Sequence, residues 1–371
     1  MTTASLVDIA KGEPDFHTPD FIKRAAWQAI EANFTKYTPQ PGIPELREAA
    51  ARKLRTENAI DAAPEDIVIT CGGKHADEMA IRCLIGPRDE AIVITPHWFA
   101  YPGQVKMAGG TPVLVAARET DGFVPDVEAV SNAITSRTRL IILNSPANPT
   151  GAVYPRRFLE SVAALAVKND LHVLSDEVYE KILFDGAQHV SIASLGGGIA
   201  ERTVTVNSVS KTHAMTGWRI GYALLPCGLA KRVIGIQELS TSAPCAVSQR
   251  AALAALTGNQ SHVAAMTASY AVRRGFLCGR VAAIPGLEAV PPKGTFYCLV
   301  SIRGLRGRVL GGCAVDNADD FVRVAQEVVG VRVLSGVPFG APQHIRISFA
   351  VSLQAIEEGM VRLERLIADG E

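Results

Sequence analysis

The chain of 371 residues has no surplus of either charge: 37 lysines and arginines face 37 aspartates and glutamates. Binding to nucleic acid or to an anionic membrane by counterion release needs a basic excess, so neither partner is expected. Long hydrophobic runs are missing too; the apolar stretches are strand-sized and interrupted, too short to span a bilayer. No basic segment followed by an apolar core opens the chain, so no secretory leader is expected. The seven cysteines are scattered, without a CxxC pair or a metal-like cluster. An odd, dispersed set argues against a disulfide framework and points to free thiols in a reducing compartment, the cytoplasm. Internal repeats, low-complexity tracts and blocks of like charge are also absent.

The composition that remains, 48% hydrophobic and 20% charged, is that of a globular protein too long for one small core, so two domains are expected. Short apolar runs at 67–71, 91–95, 113–116, 140–144, 171–176, 203–207 and 220–225 read as buried strands. Amphipathic patterns lie between them: Ala76, Met79, Ala80, Cys83 and Leu84 recur at helical spacing, as do Phe158, Val162, Leu165 and Ala166. Alternating strands and helices imply an α/β body, a mostly parallel sheet flanked by helices, with its ligand site outside the carboxyl ends of the strands. Asn144, Asp176 and Ser208 fall at such ends. After about residue 275 the pattern changes to strands at 294–302, 331–334 and 344–350, with a helix at 318–329 and another carrying Leu353, Ile356, Met360, Leu363 and Ile367 on one face. This reads as a smaller α+β domain. Gly196–Gly198 reads as a surface loop.

The most telling stretch is NSVSKTHAMTGWRIGY, at 207–222. Lys211 follows Ser208 and Ser210 where a strand ends, and Arg219 lies eight residues on. A lone lysine is usually solvated. Beside hydroxyls and a guanidinium at a strand end, its amine suits a phosphate-bearing aldehyde: the amine forms a Schiff base, and the hydroxyls and guanidinium hold the phosphate. That points to pyridoxal 5′-phosphate.

This run resembles the lysine signature of the class I and II aminotransferases, in fold-type I of the pyridoxal-phosphate enzymes. Further similar segments follow the family's order: GEPDF at 12–16, KYTPQPGIPELREA at 36–49, GGK at 72–74, TPHWFAY at 95–101, NSPANPTG at 144–151, SDEVY at 175–179 and HIRISF at 344–349. The resemblance implies a large cofactor-binding domain at 36–275 and a small domain built from 1–35 and 276–371. It implies a homodimer with shared active sites and ping-pong transfer of an amino group between an L-amino acid and a 2-oxo acid.

Residue roles follow from the same resemblance. Lys211 holds the cofactor and then moves the proton. Asp176 meets the pyridine nitrogen and keeps it protonated, although an aspartate at a strand end is otherwise most often a cap. Tyr179 and Asn148 hydrogen-bond the phenolic oxygen. Gly72, Gly73 and Lys74 open a helix whose amides, with Ser208, Ser210 and Arg219, form a phosphate cup. Tyr37 reaches the phosphate of the neighbouring subunit. Trp98 stacks on the ring, a contact worth about 1 kcal/mol beyond burial. Arg346 grips the substrate α-carboxylate through a planar two-point contact, and the backbone of Gly12 meets the same group. No metal is required.

Specificity is harder to read. Lys74 sits where one subgroup of aspartate aminotransferases resembling this chain places a lysine for a distal carboxylate, which favours aspartate or glutamate. SKTHAMTGWR at 210–219, with His213, and HVSIASL at 189–195 resemble broader-specificity members, including arginine–pyruvate aminotransferases. His75, Asp77 and Glu78 would suit a basic or polar substrate, or else form an exposed helix face. A carbon–sulfur β-lyase or a cyclase on the same fold would share every cofactor residue.

Overall fold

The computed structural model describes residues 6–226 and 228–370. Its main body is a seven-stranded sheet. Across the sheet the strands run in the order Ile67–Thr70, Gly221–Leu224, Thr203–Ser208, His172–Asp176, Thr138–Asn144, Glu90–Thr95, Thr111–Ala116. All are parallel except Gly221–Leu224, which runs antiparallel to both neighbours. The β-branched runs Ile67-Val68-Ile69 and Thr203-Val204-Thr205-Val206 are buried on both faces, as a helix-covered parallel sheet requires. The outer strand Thr111–Ala116 is largely open to solvent, so its alternation is weak and only its inner residue Val115 is fully buried.

Helices cover both faces. Gly73–Leu84 buries Ala76, Met79, Ala80 and Cys83, and Arg156–Lys168 buries Phe158, Val162 and Ala166. Both stripes follow the helical period read from the sequence. Helix Asp20–Glu31 lies against Ala246–Thr257; its Ile22 and Ala26 share a core with Ile67, Ile69, Tyr222 and Ala251.

A second core gathers the chain's ends. Val7–Asp8 pairs in parallel with Val331–Arg332. An antiparallel sheet orders Leu334–Ser335, His344–Ser348, Tyr297–Ser301 and Glu288–Ala289. Helices Ala318–Val329 and Leu353–Ala368 close it. The first begins with a capping box between Asn317 and Asp320 and so starts where the sequence places it. The long helix Ser261–Ala283 contributes Met266, Tyr270, Leu277 and Val281 to this core.

Two strands differ from expectation. The stretch 331–334 is not one strand: Val331–Arg332 pairs with the N-terminal segment and Leu334–Ser335 with His344–Ser348. The run from Gly294 enters the sheet only at Tyr297, because Thr295 takes a left-handed φ of +65° and Gly294 bridges Leu183 instead.

One close approach ties the sheet to the turn at its end. A Cβ on Gly221 would stand 2.5 Å from the Gly73 nitrogen and from the Gly72 carbonyl carbon. Backbone cannot yield as a flexible side chain does, so Gly221→Ala is expected to cost about 1–3 kcal/mol. The check is chemical denaturation, which should show a lower midpoint at an unchanged slope.

Candidate active site

Three parallel strands end side by side, and their pairing sets the site. Asn144 is in register with Asp176, and Asp176 with Val206, two residues before Ser208. Asn144 Nδ2 donates to the Asp176 carbonyl at 3.0 Å and locks two of the ends together. Beyond them opens a cavity of about 310 Å³. Its walls carry Gly12, Gly73, Lys74, Trp98, Asn148, Asp176, Tyr179, Ser208, Ser210, Lys211, Arg219 and Arg346. Twelve of the fourteen residues to which the resemblance gives cofactor or substrate roles therefore meet here. Gly72 lies just outside, as the N-cap of helix Gly73–Leu84 with φ +89°; a Cβ there would stand 2.6 Å from the Arg219 guanidinium. Tyr37 does not reach the cavity of its own chain and is 96% exposed.

At one end of the cavity is a cradle of donors. The first turn of helix Gly73–Leu84 presents its free amides, which favour an anion. Ser208 caps the short helix Val209–Thr212, its Oγ accepting from the Ser210 N–H at 3.0 Å and lying 2.7 Å from Ser210 Oγ. Arg219 sits in the left-handed region and donates only to the carbonyls of Thr216 (2.8 Å) and Cys71 (3.2 Å). No carboxylate among the described residues pairs with it.

Asp176 is buried. It accepts from Tyr101 Oη at 2.6 Å and from the Val178 N–H at 3.2 Å. Burial pushes its pKa up to about 6, and the two donors only partly offset this. Lys211 Nζ donates to the Gly12 carbonyl at 2.5 Å and lies 5.7 Å from the Phe296 ring and 6.0 Å from the Tyr179 ring. Tyr179 is buried, its hydroxyl 3.0 Å from that of Tyr297, and burial together with this neighbour holds the phenol well above its usual pKa.

Arg346 is 4% exposed. It donates to Asn148 Oδ1 at 2.9 Å and to the Ala10 carbonyl at 3.3 Å, and its guanidinium lies 4.0 Å from the Tyr297 ring centre. Its Nε has no partner, and no carboxylate among the described residues pairs with it. A buried guanidinium in that condition is built to receive an anion. At the cavity rim Lys74 is exposed, 5.5 Å from the Trp98 ring and 5.8 Å from that of Phe99.

Other residues here carry roles that sequence reasoning did not assign. Tyr101 stands one helical turn beyond Trp98 and packs edge-on against it at 5.3 Å; that spacing was the available signal. Tyr297 has no such signal, because its approach to Arg346 depends on which strands are neighbours. The segment after Lys74 is not an exposed face. Asp77 is 1% exposed and lines the cavity, whereas His75 accepts from the Cys71 N–H at 3.2 Å and Glu78 lies 3.6 Å from Arg82, both outside it. Helical geometry explains the split: Asp77 shares the inward stripe of Gly73, Ala76 and Ala80.

A covered, mostly parallel sheet with a polar cavity at its carboxyl strand ends defines an α/β enzyme. The comparison with known proteins is specific: the aminotransferase class I and II family matches residues 4–363, and the chain belongs to it. The aspartate/prephenate aminotransferase of Thermus thermophilus is 42% identical over 368 residues, 98% of this chain and 91% of the relative. The aspartate aminotransferase of Bacillus sp. (strain YM-2) is 38% identical over 362 residues, again 98% and 91%. The crystal structure of the aspartate aminotransferase from Rhizobium meliloti superposes with a TM-score of 0.96 at 36% identity, covering 99% of this chain and 92% of that one. The protein is an enzyme of the transaminase type on fold-type I.

Asp77 has a consequence for stability. Its Oδ1 is buried without a hydrogen-bond partner, and burial, then the Asp176 charge, raises its pKa well above the usual value. A carboxyl that titrates higher folded than unfolded binds a proton more tightly in the folded chain. It therefore weakens folding increasingly as pH rises above about 4. Asp77→Asn is expected to raise the melting temperature of the cofactor-free chain at pH 7, with the gain vanishing towards pH 4. Thermal melts across that range check this; a uniform loss would show that the carboxyl stabilises the fold.

Proposed function

We propose that this enzyme is an aspartate-type aminotransferase that uses pyridoxal 5′-phosphate, with Lys211 as the residue that holds it. The observation that carries the reading is one cavity bringing together an amine, a buried carboxylate and a buried guanidinium with no anion of its own. The residues fit the group. The backbone amides of Gly73 and Lys74, with Ser208, Ser210 and Arg219, offer donors and positive charge for a phosphate, backed by Gly72. Asn148 and Tyr179 offer donors for a phenolic oxygen, Trp98 an aromatic face, and Asp176 a buried negative charge for a ring nitrogen.

When bound, pyridoxal 5′-phosphate supplies an aldehyde that joins amines and a ring that takes up the electron pair left when the substrate's α-proton departs. The chain's own groups do the rest. Arg346, supported by Asn148 and by the backbone at Gly12, holds the α-carboxylate and so fixes the direction of the Cα–H bond. Lys211 Nζ is placed to take the α-proton and would hand it on to the carbon supplied by the cofactor's aldehyde. Asp176 favours a positive charge opposite it. Lys74 meets the distal carboxylate of aspartate or glutamate; the names of the relatives support an acidic donor.

We further read the assembly as a homodimer in which Tyr37 reaches the partner's phosphate. Its ring is 96% exposed, and Trp27 and Leu239 are also largely bare. The division into a large domain at 36–275 and a small one built from 1–35 and 276–371 is part of this reading, although helix Asp20–Glu31 packs beside Ala246–Thr257 on the large body. No helix among the described residues is long and apolar enough to cross a membrane; the six described cysteines are all free, which supports a reducing cytoplasm.

Single-turnover mixing with a panel of amino acids tests the reading: transfer of the amino group from aspartate or glutamate supports it, and elimination without transfer would make the enzyme a lyase. Lys211→Ala is expected to bind cofactor without the visible band of the lysine conjugate and to lose turnover; a variant retaining both would remove Lys211 from the centre. Lys74→Ala should hurt aspartate and glutamate by about tenfold to over a hundredfold in kcat/KM, the worth of a charge-assisted contact of roughly 1.5–3 kcal/mol, and spare alanine. Equal losses for every donor would place Lys74 at the phosphate instead.

A further inference from the structure

The turn that follows Asp176 faces two ways. Asp176 and Tyr179 line the cavity, whereas Glu177 and Glu180 do not. Glu177 is fully buried. One of its oxygens accepts from Ser175 Oγ at 2.8 Å and Ser191 Oγ at 2.7 Å. The other lies 3.0 Å from His189 Nε2 and 3.4 Å from Asn58 Nδ2. Glu180 accepts from Asn58 Nδ2 at 2.6 Å and forms a very short ion pair with Lys53. Lys53, 9% exposed, also donates to Asn58 Oδ1 at 2.8 Å. At the rim Lys181 pairs with Glu57 at 2.7 Å.

Two carboxylates face an ammonium and an imidazole in this buried cluster. Burial would raise Glu180, but Lys53 and His189 outweigh it and hold the carboxyl at about 2. Burial would lower His189, but the Glu177 carboxylate outweighs it. Glu177, Glu180 and His189 place ligand atoms within 4.8 Å of one another, but the Lys53 ammonium already supplies the cation there.

We propose that this cluster of Lys53, Asn58, Glu177, Glu180 and His189 is a positioning device for the reaction, clamping the turn so that Asp176 and Tyr179 are held at the cofactor ring. The inference rests on the cofactor reading above. The Tyr179 ring packs edge-on against Phe296 and Tyr297 at 5.5 and 5.8 Å, but among the described side chains its hydroxyl meets only Tyr297, so the backbone of the turn decides where along those rings the hydroxyl stands. That backbone is fixed by the Glu177 N–H to the Val206 carbonyl (2.9 Å), by the Glu180 N–H to the Glu177 carbonyl (2.9 Å), and by the two carboxylates between them. Fold stability is a poor reason for such a cluster, because buried ion pairs exchanged for neutral groups of similar size often cost nothing.

The test removes both charges at once, with Lys53→Met and Glu180→Gln together, so that neither is stranded. The melting temperature should change little, while the amides of 178–181 in the cofactor-free chain exchange about tenfold faster or more. With cofactor bound, the pH midpoint of its visible band should rise by roughly half to one unit, because a looser Tyr179 stabilises the phenolic oxyanion less. The kcat should fall about tenfold with KM little changed. Should the double variant fail to fold, Ser191→Ala trims one donor from Glu177 and should move the same readouts less. Exchange, midpoint and kcat all at wild-type values would overturn the proposal, as would a loss of stability spread over the whole chain with the midpoint unmoved. A wild-type chain with no visible band and no transamination would instead sink the cofactor reading; the exchange experiment would still report on the clamp.

Discussion

Uncompensated charge organises this molecule. Asp176 is buried with no cation in hydrogen-bond contact, and Arg346 is buried with no carboxylate. An isolated buried ion costs several kcal/mol even after relaxation. A chain that carries two of opposite sign on the walls of one cavity, without letting them meet, has given up stability for reactivity. Under the proposed function each charge would receive a ligand of the opposite sign, and the strand pairings on either side hold the two apart. Their separation keeps the cavity open.

That separation has an identifiable source. The register that pairs Asn144 with Asp176 brings two chemical groups to one level. The antiparallel strand Gly221–Leu224, wedged between two strands of opposite direction, brings a glycine against the Gly72–Gly73 turn. The Gly72–Gly73 turn is thus seated against the sheet by backbone contact, which tolerates little slack, and by the Thr70 hydroxyl donating to the Gly72 carbonyl. Arg346, from the other core, lines the same cavity, so under the proposed function the geometry at a substrate carboxylate would depend on how the cores seat on one another.

Much of this was legible in the sequence, for physical reasons. Parallel strands buried on both faces appear as short apolar runs, and all seven strands of the main sheet lie where those runs are. Lys211 and Asp176 stood out because cofactor chemistry demands unusual residue types at strand ends, whereas Arg346, in mid-strand, stood out only through the resemblance of HIRISF to a segment of the family. What stayed hidden depends on contacts between distant segments. Whether Asp77 faced a substrate or lay on an exposed helix face stayed open because its neighbours Lys74, His75 and Glu78 are polar; it occupies the inward stripe of its helix. Tyr297 joins the site only through strand pairing. The 331–334 run divided because two different partners claimed its halves, and a single sequence does not name partners.

The two-faced turn at 176–181 bears on transplanting the chemistry into other scaffolds. A short peptide word such as DEVYE looks portable, since two of its letters serve the ligand. The other two are glutamates that need an ammonium, an amide, an imidazole and two hydroxyls, brought from the stretches around residues 53–58 and 175–191. Grafted without those recipients, the word would carry two naked anions into an interior. The smallest transferable unit is therefore a patch of three-dimensional neighbourhood, and its borders do not coincide with those of any motif.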